Sequence, residues 1–504
     1  MKTDFSEILI SEKEAEKIAL STFGIRGVAT FLPGEIDFNF KILDENDNAY
    51  VLKISRPGIS SEFLDFQQQL LTHLESAEAP LEHPRALPDI TGKLLSKVKD
   101  SSGTVRFARL LSWIPGRIYS KVNPKSDQLR MSLGRVCGAV TAALFGFDHP
   151  QSKRVLDWDI AQAGWTANHL DLFPEKKQKT IRHFLNLFNS LSGTYKTMRK
   201  SVVHNDANDN NLIVSNDLLH PVVRAAIDYG DAVHTQIIND LAIACAYAIM
   251  GLNDPLEGAL PVVQGYHQSF PLREEELEHL YACIGIRLVI SVTKSAINRI
   301  EEPENVYLQI SDQAAWDLLE RWEQVNPDLA HFSFRSACGF RAHPDTKKFI
   351  SWAQKQKFEL RDLFPDCPGN EALDIDLSVG STWLGLKEDF ADFGLFDFKI
   401  GELQKANKDK VIAGGYLEAR GVYATEAYDK MGNSGRESRT IHLGVDFWLP
   451  AGTPVHALMD GEVLVAVNDA GDKEYGGLVI LKHEKEGLCF YTLYGHLTVA
   501  SATR

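Results

Sequence analysis

The sequence predicts an α+β protein: a small β-rich lobe passes into a larger helical lobe, to about residue 330, and an all-β domain follows from about 413. Three observations carry this. Apolar residues alternate between residues 25 and 55, helical spacing dominates after about 115, and short β segments broken by glycine begin at "GGYLEARGVYAT".

Taken in order, "GVATFL", "DFNFKIL" and "AYVLKIS" read as strands, with "PGE" and "DENDN" as the turns between them. "SEFLDFQQQLLTHLE" places Phe63, Phe66, Leu70 and Leu74 on one face of a helix. "RFARLLSWIPGR" supplies another strand and turn. The chain is then mostly helical, and Leu277, Leu280, Tyr281, Ile284 and Leu288 mark an amphipathic helix. The stretch from 330 to 410 is less regular, and "FPDCPGNEALD" reads as a linker by its proline, glycine and acidic content.

Composition is that of an ordinary globular protein, 44% hydrophobic and 24% charged. The net charge of −15 argues against a nucleic-acid partner held by general electrostatics. No apolar stretch is read as a membrane span, and the charged start "MKTDFSEILISEKEAEKIAL" has no apolar signal core, so a cytoplasmic location is expected. Six scattered cysteines without a Cys-x-x-Cys pair read as free thiols.

"VVHNDANDNNLIV", residues 202–214, is too polar for ordinary core, because an unpaired buried carboxylate is costly. Phosphoryl transfer from a nucleotide needs a proton acceptor for the attacking hydroxyl, magnesium ligands and a cation for the phosphates. Magnesium prefers carboxylate and amide oxygens. Asp206 offers the base and Asn211 a metal ligand. Asp228 follows another apolar strand, "VVRAAI", and Lys53 on "YVLKIS" offers the cation.

His-x-Asp-x-x-x-x-Asn followed by "IDYGD" resembles the aminoglycoside phosphotransferase and choline kinase superfamily, and "DANDNN" and "YVLKI" are closest in texture to hydroxylysine kinases. The resemblance implies a two-lobed, protein-kinase-like domain over residues 15–330. It assigns Asp206 as catalytic base, Asn211 and Asp228 as magnesium ligands, and Lys53 and Gly34 to the phosphates of ATP or GTP. Ser112 and Trp113 fall on the hinge that holds the purine. The expected acceptor is a hydroxyl on a small amine or amino alcohol. Asn205 stands where the family usually has glycine. The carboxylate that orients Lys53 is either Glu62 or Asp65. His204 reads as a brace for the loop, and Asp240 as an N-cap or a partner to that loop.

A second constellation lies in "RTIHLGVDFWLPAGTPVHALMDGEV", where His442 and Asp446 stand four apart, a pair that suits zinc. With "YGGLVILKH" and "YTLYGHLT" it resembles the start of a lysostaphin-type zinc endopeptidase domain, over residues 413–504. In that family His442 and Asp446 would bind zinc, and His496 would sit beside it. The family's His-x-His strand is not reached before "ASATR", so the β domain is expected to be incomplete and its zinc site short of a ligand. The combination resembles the first half of bacterial fusions that continue into an aminotransferase-like domain. The alternatives to a kinase are a zinc peptidase and a non-catalytic docking module, and residues 331–412 are expected to be a partly structured linker.

Overall fold

The computed structural model describes residues 10–502 apart from 35–36, 77–81, 302–311, 368, 387–388, 390–391, 424–425 and 472–473. The chain divides into two compact units, Met1–Ala342 and His343–Arg504.

The first unit opens with α1 (Glu12–Phe23), capped by the Ser11 hydroxyl and closed by Gly24 at φ +72°. β1 (Gly27–Leu32), β2 (Phe38–Asp44) and β3 (Ala49–Ile54) form an antiparallel meander. Asp44 makes the second turn by accepting from the backbone N–H groups of Asn46 and Asn48. α2 (Ser61–Glu75), β4 (Ala86–Leu87) and β5 (Ser96–Lys99) precede β6 (Val105–Ser112), which pairs with β3. The first three strands and α2 lie within a residue of their sequence-derived positions. Phe40, Ile42, Leu52 and Ile54 bury one face of the sheet against Ala15 and Ala19 of α1. Lys53 alternates with Leu52 and Ile54, so it points to the opposite face, toward the cleft.

β7 (Arg117–Ile118) leads into α3 (Asp127–Leu144), a 3₁₀ segment over Ile160–Leu172, α4 (Glu175–Ser190) and α5 (Ser192–Tyr195). Four short strands follow: β8 (Lys200–Val203), β9 (Leu212–Val214), β10 (Val223–Ala226) and β11 (Val233–Gln236). β8 pairs with β11, and β9 lies between β10 and β7. α6 (Ile238–Ala248), α7 (Pro255–Ser269), α8 (Glu274–Glu301), α9 (Asp312–Glu323) and α10 (Pro327–Ala337) complete the unit. α3 and α7 approach so closely that a Cβ on Gly265 would lie 2.0 Å from the Met131 carbonyl oxygen, which is why glycine stands at this crossing.

α8 departs from its expected amphipathic character. Besides the five marked residues it buries Ala282, Cys283, Ile286, Arg287 and Val289, because other helices cover it on several sides. Among the described residues it is the one helix long and apolar enough to cross a membrane by composition, a length the sequence reading did not assign to it, but 78% of its most apolar stretch is buried in the fold.

The second unit contains α11 (Thr346–Ala353), α12 (Leu360–Leu363), β12 (Glu371–Asp374), α13 (Phe393–Ala406), β13 (Lys410–Gly414) and β14 (Glu418–Ala419). Then come β15 (Asp429–Met431), β16 (Arg436–Ser438), β17 (Ile441–His442), β18 (Asp446–Trp448), β19 (Glu462–Asp469), β20 (Gly476–Lys485), β21 (Leu488–Leu497) and α14 (Val499–Ala502). β12 runs parallel to β13, which pairs antiparallel with β18. β14 pairs with β17, β15 with β16, and β19–β20–β21 form an antiparallel meander. The segment 331–412 is therefore divided: residues to 342 fall in the first unit and the rest in the second. The reason is packing. α10 buries Ala330 and Phe334 in the first core, and Ile375, Leu384 and Ile400 form a small core with Ile412 in the second. All six cysteines are free, and Cys489 alone is exposed.

Candidate active site

The loop between β8 and β9 carries the polar run. Its His204 is buried; Nε2 donates to the Ile227 carbonyl at 3.0 Å, and Nδ1 accepts from the Asp206 N–H at 3.2 Å. It braces the loop, as its neighbourhood in the sequence implied. Asn205 has φ +64°, a conformation that L residues other than Asn and Asp rarely adopt, so asparagine is a workable substitute for glycine here. Its N–H donates to Asp240 at 2.9 Å, and Asp240 also accepts from Thr141. Asp240 is thus a partner to the loop. Asn205→Gly is expected to leave thermal unfolding nearly unchanged, whereas Asn205→Val should cost about 1–2 kcal/mol through its strained backbone, as read by urea titration.

Asp206, with 23% of its side chain exposed, receives three donors. Asn211 Nδ2 lies 2.6 Å from Oδ2, Asn208 Nδ2 lies 3.0 Å from the same oxygen, and Arg287 Nη2 lies 3.1 Å from Oδ1. Because Asn211 gives its nitrogen to Asp206, its oxygen is left for another partner. The Ile227 N–H donates to the Asn211 carbonyl at 2.8 Å, which ties this loop to the second one. There Asp228 stands at φ +61° and meets Lys53 Nζ at 3.1 Å. That ammonium holds the Asp228 carboxyl below its ordinary pKa. Burial pushes the Asp206 carboxyl up, with the Arg287 guanidinium opposing and the Asp231 carboxylate adding to the rise. Arg154 donates to the Gly230 and Ala232 carbonyls and holds the Asp231 loop from behind.

A small cavity lies here, lined by Lys53, Gln67, Arg109, Leu111, Asp228 and Tyr229. Neither Glu62 nor Asp65 reaches Lys53: Glu62 takes the Ser60 hydroxyl and Asp65 takes Gln69. The α2 residue that lines the cavity is Gln67, which accepts from the buried Arg109, itself paired with Asp37. The structure therefore gives Lys53 the Asp228 carboxylate as its partner in place of one from α2. Gly34 follows β1 and is exposed, and a Cβ there would meet Asn39 Nδ2 at 2.2 Å. Ser112 closes β6 with its N–H and hydroxyl both bonded to the Arg85 backbone. Trp113, just beyond, lies under the Lys41 ammonium at 4.6 Å.

Sequence reasoning missed Arg287, Asp231, Arg154 and Arg109. Arg287 left a usable signal, as a lone charge in the apolar run "GIRLVIS" that requires a partner once buried, and Asp231 stood in plain view as the second aspartate of "IDYGD".

In the second unit His442 Nδ1 lies 2.8 Å from the Gly415 carbonyl, and Nε2 lies 3.5 Å from Asp446 Oδ1. The other Asp446 oxygen accepts from Arg420 Nη1 at 2.7 Å, and Arg420 Nε donates to Glu418 at 2.7 Å. His496 is exposed on β21, in a different sheet from β17 and β18, and its N–H donates to the Tyr475 carbonyl. Among the described residues no group of three His, Cys, Asp or Glu side chains converges as a metal site. The donor set thus falls short of what zinc takes, and its carboxylate already has an arginine as counter-ion.

A lysine on a β-lobe strand, a carboxylate–amide loop and a second carboxylate at a strand end define a phosphotransferase of the kinase type. The first unit carries a domain of the Phosphotransferase enzyme family, matched over residues 28–277, and is a small-molecule kinase. Residues 440–503 match Peptidase family M23, so a peptidase-family domain follows it. Hydroxylysine kinase of Danio rerio is 26% identical over 356 residues, spanning 68% of this chain and 99% of that protein. The Mus musculus hydroxylysine kinase is 24% identical, over 62% of this chain and 89% of its own length. A solved amicoumacin kinase, in complex with AMP-PNP and calcium, aligns at 17% identity with TM-score 0.46, over 62% of this chain and 94% of that one.

Proposed function

We propose that the first unit transfers the terminal phosphate of ATP or GTP, with magnesium, to a hydroxyl of a small amine or amino alcohol. The observation that carries this is Asp206 held by the Asn211 amide on one oxygen and by Arg287 on the other, beside an Asp228 that Lys53 engages. The Asn211 oxygen and the Asp228 carboxylate are the oxygen donors magnesium takes. When bound, that ion neutralises charge on the phosphates.

The residues of the chain do the rest. Asp206 accepts the proton of the attacking hydroxyl as the new O–P bond forms and the bond to the leaving diphosphate breaks. Asn211 and Arg287 fix the direction in which its oxygens point. Lys53 turns from Asp228 to the phosphates when a nucleotide enters, and the segment after Ser112 meets the purine. A nucleotide substrate fits a cytoplasmic location.

The test is phosphate transfer from ATP and from GTP, with magnesium, to hydroxylysine, ethanolamine, choline, homoserine and an aminoglycoside. One phosphorylated acceptor is expected, with the product gone in Asp206→Ala. A folded, nucleotide-binding protein that phosphorylates none of them would overturn the proposal.

For the second unit we infer a role other than zinc hydrolysis, since Asp446 is already ion-paired with Arg420, which it shares with Glu418. Purified chain is expected to carry far less than one zinc per molecule by elemental analysis. Stoichiometric zinc that is lost on His442→Ala would reverse this reading.

A further inference from the structure

A chain of contacts leads away from the base to a second polar patch. Arg287 Nη1 donates to the Trp158 carbonyl at 3.1 Å, and its guanidinium lies 4.8 Å from the centre of the Trp158 ring. The residue before, Asp157, holds its carboxylate 2.6 Å from Lys294 Nζ. The Lys294 ammonium lies 4.9 Å over the Trp165 ring, and Trp165 Nε1 donates to the Asp157 carbonyl at 3.0 Å. Arg287 and Lys294 are seven residues apart on α8, so they share a face and stand about 10 Å apart along its axis.

A carboxylate and an ammonium are thus held side by side on an indole floor, about two helical turns from Arg287, which itself touches Asp206. Both are accessible: the Asp157 side chain is 56% exposed and the Lys294 side chain 22%. Such an exposed pair contributes about 1 kcal/mol or less, so it opens readily to a ligand that replaces both partners. The ligand that does so carries an ammonium and a carboxylate on one atom.

We infer that Asp157, Lys294 and Trp165 form the site for the α-amino-acid head group of the acceptor, whose distal hydroxyl reaches Asp206. This rests on the kinase reading above and narrows it. The ligand ammonium pairs with Asp157 and its carboxylate with Lys294. The axial separation suits a hydroxyl far along the side chain. Serine is too short to span it, and ethanolamine lacks the carboxylate as well.

The experiment compares 5-hydroxylysine with its decarboxylated counterpart, 1,5-diaminopentan-2-ol, on the full chain. Binding is measured by calorimetry in the presence of magnesium and AMP-PNP, and transfer is measured with ATP. Hydroxylysine should bind at least about tenfold more tightly than the diamine, since a hydrogen-bonded charge is at stake. Lys294→Met should remove most of that preference by weakening hydroxylysine alone, and Asp157→Asn should weaken both compounds. Both positions are at the surface, so the variants are expected to fold. Equal binding of the two compounds by the unaltered chain, a preference that survives Lys294→Met, or binding of neither compound would each overturn the head-group site. Preferential binding of hydroxylysine without phosphate transfer would leave the head-group site standing and sink the kinase reading instead.

Discussion

Asp206→Asn is expected to lower kcat for phosphate transfer by about two to four orders of magnitude, the usual worth of a positioned general base, while nucleotide affinity stays as it was. The substitution is nearly isosteric. It keeps an oxygen for the Asn208 or Asn211 amide, and it removes the group that can take the hydroxyl proton. Lys53 and Asp228, which line the cavity, are not touched by the change. Single-turnover transfer and binding of a fluorescent nucleotide separate the two effects. A variant that binds nucleotide normally and still turns over at the original rate would remove Asp206 from the mechanism.

The second large effect is on stability. Arg287 is 1% exposed and donates to Asp206, Trp158 and Tyr247. Removing one partner of a buried ion pair costs about 3–5 kcal/mol, because the other charge is left without compensation. Arg287→Met should lower the calorimetric unfolding temperature of the full chain for that reason, and it should slow transfer because Asp206 Oδ1 loses its tether. Adding Asp206→Asn should recover part of the stability, since the uncompensated carboxylate is then gone. Strict additivity of the two substitutions would show that the pair is not coupled.

These two residues also mark how far the sequence could be read. Asp206 and Asn211 are five apart on one loop, so their meeting was implicit in the motif. The three strands of the β meander and α2 were legible because alternation and helical spacing are local patterns. Lys53 and Asp228 meet across 175 residues. The sequence offered Lys53 as a cation for the phosphates and Asp228 as a magnesium ligand, two separate roles that did not show them as partners of each other. The choice between Glu62 and Asp65 failed because it presumed a carboxylate on α2 facing the lysine. Helical phase sets Gln67 there.

Arg287 lies 81 residues from its partner, and nothing in its own helix says which carboxylate it meets. The amphipathic reading of α8 failed for a related reason. Leu277 to Leu288 do share a face, but the helix is covered on its other sides too, and burial all round leaves no period to detect. In the second unit the strands are so short that pairing across sheets, rather than local pattern, decides where each side chain points. His496 shows this. The family resemblance set it beside a zinc held by His442 and Asp446, and its strand pairs in a different sheet from theirs.

The contact between Lys53 and Asp228 has a consequence for the order in which ligands arrive. Under the roles proposed for Asp228 and Lys53, the lysine acts as an interlock, because it already answers the charge of the carboxylate that magnesium would take. Free magnesium would then compete with an ammonium for that position. A triphosphate would draw Lys53 away, so nucleotide and metal would be expected to enter as one ionic complex.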